Sequence, residues 1–87
     1  GVWDEFVSSI PHDAQLFGVE MGGIPLRKFK HPKRAIYLLG SEDMGLPSYA
    51  MDKCVDIVSV ESVRRESYNV AVAGSIVMWD RVTKHDF

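Results

Sequence analysis

Apolar residues at Trp3, Phe6, Val7 and Ile10 follow the i, i+3, i+4, i+7 spacing of a short amphipathic helix, which Pro11 stops. Residues 14–19 form a short apolar run suited to a strand and ended by Gly22-Gly23. The stretch 24–32 has no period and reads as a loop with at most a turn of helix. Ala35-Ile36-Tyr37-Leu38-Leu39 is the clearest strand, and its unbroken apolar character predicts burial on both faces. A glycine-bounded loop over residues 40–47 follows, then a short helix over 48–53. A further strand is predicted over 55–60, with Asp56 and Ser59 breaking its apolar character.

The longest predicted element is a helix over residues 69–84, free of proline, with Gly74 as its weak point and Ser67 as N-cap candidate. Val70, Val72, Ile76, Val77, Met78 and Trp79 fall on every side of this helix, with Ala71, Ala73, Gly74 and Ser75 between them. A helix apolar all round is normally buried, and its small residues permit close approach of a neighbour. In a short chain this predicts a partner subunit or a further part of the domain. Strands alternating with helices, without repeat or linker, predict one α/β domain over residues 1–87 with a largely parallel sheet.

With 87 residues, 46% apolar and 25% charged, the chain has the composition of an ordinary globular domain near the lower size limit for a stable core. No apolar run is long enough to span a bilayer, so no membrane partner is expected. The single cysteine, Cys54, cannot form an internal disulfide; the expected compartment is intracellular, with the cytoplasm as default and an organelle left open. The chain opens Gly1-Val2-Trp3, without a methionine, as a fragment would. Net charge is −2, yet Arg27, Lys28, Lys30, Lys33 and Arg34 stand together without an acid among them. Elsewhere five basic residues face twelve acidic ones. This asymmetry points to a local anionic partner, and a solvated connecting loop explains it equally well.

Two stretches carry chemistry. Gly40 and Gly45 bound a loop at the end of an apolar strand, where open α/β sheets bind ligands. A phosphate cradle is excluded, because Glu42 and Asp43 would repel the anion and no Lys-Ser/Thr pair follows Gly45. An acidic glycine loop suits a ligand with hydroxyls, an amine or a cationic centre, although a plain strand-to-helix turn is the better explanation of the loop taken alone. The second stretch, residues 64–73, opens the long helix, whose free N–H groups and dipole attract an acceptor. Ser67 is better explained as a cap than as a ligand contact, whereas Asn69, a mediocre helix former in the first turn, calls for another role.

Leu39-Gly40-Ser41-Glu42-Asp43-Met44-Gly45-Leu46 resembles the second motif of the SpoU (TrmH-like) RNA ribose 2'-O-methyltransferases of the SPOUT superfamily, leucine-glycine-(asparagine or serine)-glutamate-x-x-glycine-leucine. Ser67-Tyr68-Asn69-Val70-Ala71-Val72-Ala73 resembles the third, serine-(leucine or tyrosine)-asparagine-valine-(serine or alanine)-x-alanine. The order and separation also fit, and the resemblance covers residues 14–84.

The resemblance implies a trefoil-knotted α/β domain, an exception to the usual absence of knots, whose N-terminal strands are missing from this chain. It implies S-adenosylmethionine as cofactor, tRNA or rRNA as substrate, and a homodimer formed through the C-terminal helix. By the same resemblance Leu39, Gly40, Gly45, Leu46, Val60 and Asn69 line the cofactor, and Glu42, Ser67 and Asn69 match positions associated with catalysis. Two departures stand out. The family's first motif, with the arginine thought to activate the hydroxyl, belongs upstream of Trp3, and Val58-Ser59-Val60-Glu61 replaces the usual isoleucine-proline before the third motif. The chain alone is therefore expected to bind cofactor weakly and transfer nothing. A silent RNA-binding or dimerisation module is the alternative, and a generic nucleotide-binding domain the third.

Other signals are bland. His12, His31, His85 and Cys54 lack metal-ligand spacing, so no metal is expected, and Cys54 reads as a small buried hydrophobe. Trp3, Phe6 and Trp79 read as packing residues, and Phe29 among its basic neighbours as a candidate for stacking on a base. Besides the residues 27–34 patch, Arg64 and Arg65 are candidates for substrate phosphate, or a solvated pair balancing Glu61 and Glu66.

Overall fold

The computed structural model describes residues 1–41, 44–60 and 70–85. Helix α1 (Val2–Ser9) leads into strand β1 (Gln15–Pro25), a 3₁₀ turn (Leu26–Lys28) and strand β2 (Ala35–Leu39). Helix α2 (Ser48–Met51), strand β3 (Asp56–Ser59) and helix α3 (Val70–Lys84) follow. The three strands are all parallel, in the order β2-β1-β3. Residues 15–19 of β1 pair in register with Ala35 to Leu39, and the other edge pairs with β3. On that edge Val58 faces both Val19 and Ile24, so residues 20–23 bulge out of the ladder.

Successive strand residues point to opposite faces. On one face Phe17 and Val58 meet Leu26, Phe29 and Val77, with Val19, Ile24, Ala35, Tyr37, Val60 and Ile76 packed around them. Phe17 stands edge-on to Phe29, ring centroids 4.9 Å apart. Each such buried side chain contributes roughly 1.5–3 kcal/mol. On the other face Leu16 and Ala50 are buried and Cys54 half-buried, its thiol donating to the Ala50 carbonyl at 3.4 Å. Trp3 stacks on Tyr49 at 5.4 Å and so holds α1 against α2.

Several elements differ from the sequence expectation. Strand β1 runs on to Pro25, because the bulge absorbs Gly22-Gly23 and lets pairing resume at Ile24. Strand β2 is half-buried rather than covered on both faces, since it forms an edge of a three-stranded sheet, and Leu39 at its end is exposed. Helix α3 buries Ala73 and Val77, while Val72, Met78, Trp79 and Val82 stay exposed; Trp79, read as packing, is 70% exposed. An open apolar groove between β2 and α3 is lined by Ile36, Leu39, Ala71, Met78, Trp79 and Val82. Phe29, a candidate for base stacking, is instead a core residue, because its ring is needed to fill the space beside Phe17.

A parallel β1-to-β2 crossover usually takes about a dozen residues and a helix. Here only residues 26–34 make it, and α3 supplies the missing cover. Arg81 donates to the carbonyls of Pro32 (2.8 Å) and Lys33 (2.7 Å), and Lys84 to those of Leu26 (2.5 Å) and Phe29 (2.9 Å). His31 is buried, with Nε2 2.6 Å from Asp80 and Nδ1 on the Tyr37 hydroxyl, while Lys84 pairs with Asp80 at 2.8 Å. A neutral imidazole carrying its proton on Nε2 satisfies both partners: it donates to Asp80 and accepts from Tyr37. Burial holds His31 below its usual range against the opposing pull of Asp80. For Asp80, burial pushes the carboxyl up, but the hydrogen bonds from Lys84 and His31 outweigh it and hold it low.

Candidate functional site

Because the three strands run parallel, their carboxyl ends lie toward the same side of the sheet, where a parallel sheet binds ligands. The loop leaving β2 folds back on itself: Gly45 N–H donates to the Ser41 carbonyl at 2.9 Å, and Met44 N–H to the Ser41 hydroxyl at 3.1 Å. This turn explains both motif glycines. A Cβ on Gly40 would lie 2.2 Å from the Gly45 carbonyl carbon, and Gly45 itself has φ +68°, which side chains other than glycine's rarely adopt.

Glu20, in the β1 bulge, clips this loop to the sheet, its carboxylate accepting from the Leu46 N–H. Ser59 holds the bulge from the β3 side. Its hydroxyl donates to the Glu20 carbonyl at 2.6 Å and accepts from the Gly23 N–H at 2.6 Å. Neither residue was a sequence candidate. The available signal was a lone carboxylate ending an apolar strand and a serine interrupting another.

Of the cofactor candidates, Leu39, Gly40, Gly45 and Leu46 lie on this folded loop, and Val60 follows Ser59 at the end of β3 and packs on the core. Glu42, Ser67 and Asn69, the catalytic candidates, lie outside the described residues, as do Arg64 and Arg65. The basic candidates Arg27, Lys28, Lys30, Lys33 and Arg34 are all exposed on the β1-to-β2 connection, and Arg34 pairs with Asp13 at 3.3 Å. Cys54 stands apart from the loop chemistry, and burial pushes its thiol up, away from nucleophilic use. Among the described residues no His, Cys, Asp and Glu side chains gather as a metal site, and no helix is long and apolar enough to cross a membrane.

The mixed α/β arrangement with its small parallel sheet matches a solved structure from Porphyromonas gingivalis assigned to the TrmH family of RNA methyltransferases, with a TM-score of 0.70 and 26% identity. The match covers 78% of this chain and 29% of that one, so the chain spans less than a third of its relative's length. Among curated proteins none matches significantly. The model of the SpoU rRNA methylase family matches residues 1–79, and with the glycine loop placed at the strand ends this chain belongs to that family.

Proposed function

We propose that this chain is the cofactor-binding part of an S-adenosylmethionine-dependent RNA methyltransferase acting on a ribose 2'-hydroxyl of tRNA or rRNA. The reading rests above all on the glycine loop, whose described residues 39–41 and 44–46 fold at the carboxyl ends of parallel strands and are clipped by Glu20. The residues fit the group. A half-buried carboxylate and backbone polar groups, in a loop whose own sequence adds Glu42 and Asp43, suit a ligand with an amine, hydroxyls and a cationic centre and repel a phosphate.

When bound, S-adenosylmethionine supplies an electrophilic methyl group. Leu39, Gly40, Gly45, Leu46 and Val60 would hold it, largely through main-chain atoms. Asn69 joins them, and with Glu42 and Ser67 is assigned to ordering the reacting groups, on the strength of the motif resemblance. The reaction needs the hydroxyl deprotonated or polarised and held in line. No arginine of these residues matches the one that activates the hydroxyl in similar enzymes, so the chain alone is expected to bind cofactor and transfer nothing. The trefoil knot and the homodimer through α3 belong to the same reading. The exposed Val72, Met78, Trp79 and Val82 support the dimer.

Calorimetric titration of S-adenosylhomocysteine into the chain, beside Asn69→Ala, tests this reading. Saturable binding that the substitution weakens about tenfold, about 1.4 kcal/mol, is expected. No binding by a folded chain would favour the silent RNA-binding or dimerisation module.

A further inference from the structure

We propose that residues 26–34 form a preorganised docking surface for the phosphate backbone of RNA, with Lys28, Lys30 and Lys33 as its contacts; the choice of RNA as partner rests on the methyltransferase reading above. In this stretch apolar or aromatic anchors alternate with cations. Leu26, Phe29 and His31 are buried, while Arg27, Lys28, Lys30 and Lys33 are exposed. A charged loop that is only solvated has no need of such anchoring.

The backbone beneath is also electrostatically prepared. The carbonyls of Leu26, Phe29, Pro32 and Lys33, which would otherwise face an anion with negative partial charge, each accept from Arg81 or Lys84. Two further cations thus sit under the loop, against the single carboxylate of Asp80. Arg34 is excluded from the contact set because Asp13 already holds it. Being pinned from α3, the loop has little conformational freedom left to lose on docking.

Its position fits a substrate surface. Pro25 pairs with Ser59, the neighbour of the cofactor candidate Val60, so Arg27, the first cation, stands two residues beyond that pair. The remaining chain is acidic overall, five basic residues against twelve acids, so positive charge is concentrated in this stretch.

The test is binding of bulk tRNA to the whole chain as a function of salt, for the parent and for the triple variant Lys28→Ser, Lys30→Ser, Lys33→Ser. At about 0.1 M salt the variant is expected to bind about tenfold or more weakly, and the slope of log affinity against log salt to fall by roughly 2, at about 0.7–0.9 per phosphate contact. Its melting temperature should not move, since all three side chains are exposed, and Lys53→Ser should bind like the parent. Equal affinity and slope in the triple variant would overturn the proposal, as would a parent chain that binds no tRNA at about 20 mM salt. Tighter binding of polyglutamate than of tRNA would overturn it in favour of an acidic protein partner. Titration of S-adenosylhomocysteine into the same variant separates the two readings. Cofactor binding without lysine-dependent tRNA binding sinks only the surface, and the reverse result sinks only the methyltransferase assignment.

Discussion

Residues 40–46 and residues 26–34 are the two loops that follow neighbouring parallel strands, and each carries charge, but they are held by different means. The first is built from itself: a hydrogen bond from Gly45 to Ser41, two glycines where a Cβ would collide or φ is positive, and one clip from Glu20. The second has only one 3₁₀ turn of its own, closed by the Phe29 N–H on the Leu26 carbonyl at 3.0 Å. Its shape is imposed by Arg81, Lys84 and Asp80, about fifty residues further along the chain. The glycine loop therefore depends on conformation that only glycine allows, and the basic loop on side chains that meet after α3 has packed. A motif that can be read along the chain is the mark of the first kind, and the second kind leaves none.

The contrast can be broken from either end. The largest effect is expected for Phe29→Ala, which removes the aromatic anchor of the basic loop from the core and should cost about 3–5 kcal/mol in urea unfolding. If Phe29 served base stacking instead, stability would hardly change and only RNA binding would suffer. Gly40→Ala comes next. The added Cβ meets the backbone of Gly45 and Leu46, not a flexible tip, so the turn must open at a cost of roughly 1–3 kcal/mol. S-adenosylhomocysteine binding should be lost in that variant while the clamp around His31 stays intact, and a variant that binds like the parent would disprove the tight-turn account.

The smallest effect is a dependence on pH confined to the clamp. His31 and Asp80 are both held below their ordinary ranges, and the groups facing His31 are Tyr37 from β2, Asp80, Arg81 and Lys84 from α3, and His85 just after it. For a lowered imidazole the unfolded chain binds more protons than the folded one, so its contribution is complete above the unfolded value near 6.5 and is lost as pH falls through the folded one. Asp80 acts in the same direction at lower pH, below the unfolded carboxyl range. The melting temperature should therefore drop between pH 7.5 and 5.5, and His31→Gln should flatten that drop. A parent chain with a level profile over this range would rule out a buried neutral His31.

The order and kind of the elements were legible in the pattern of apolar positions: the 3.6-residue period of α1, the apolar runs of β2 and β3 and the long proline-free helix lie where the spacing placed them, and β1 starts there but runs on to Pro25. So was the glycine loop, because its chemistry is local and Gly40 and Gly45 declare it. What the sequence could not show was which strand takes the centre. β1 does, which leaves the more apolar β2 at an edge and half-exposed. Glu20, Ser59 and the His31–Asp80–Lys84 clamp were hidden for the same reason. Each acts on a partner 26 to 58 residues away in the chain, and no period or motif encodes such a meeting. Phe29 shows the limit most plainly. Its basic neighbours suggested an exposed ring, and only the space left open beside Phe17 decided that it turns inward. Sequence alone determined the elements, the local turn and the family motifs, since backbone propensity and sterics act between near neighbours. The tertiary structure decided burial, edge and clamp, since those follow from packing between residues distant in the chain.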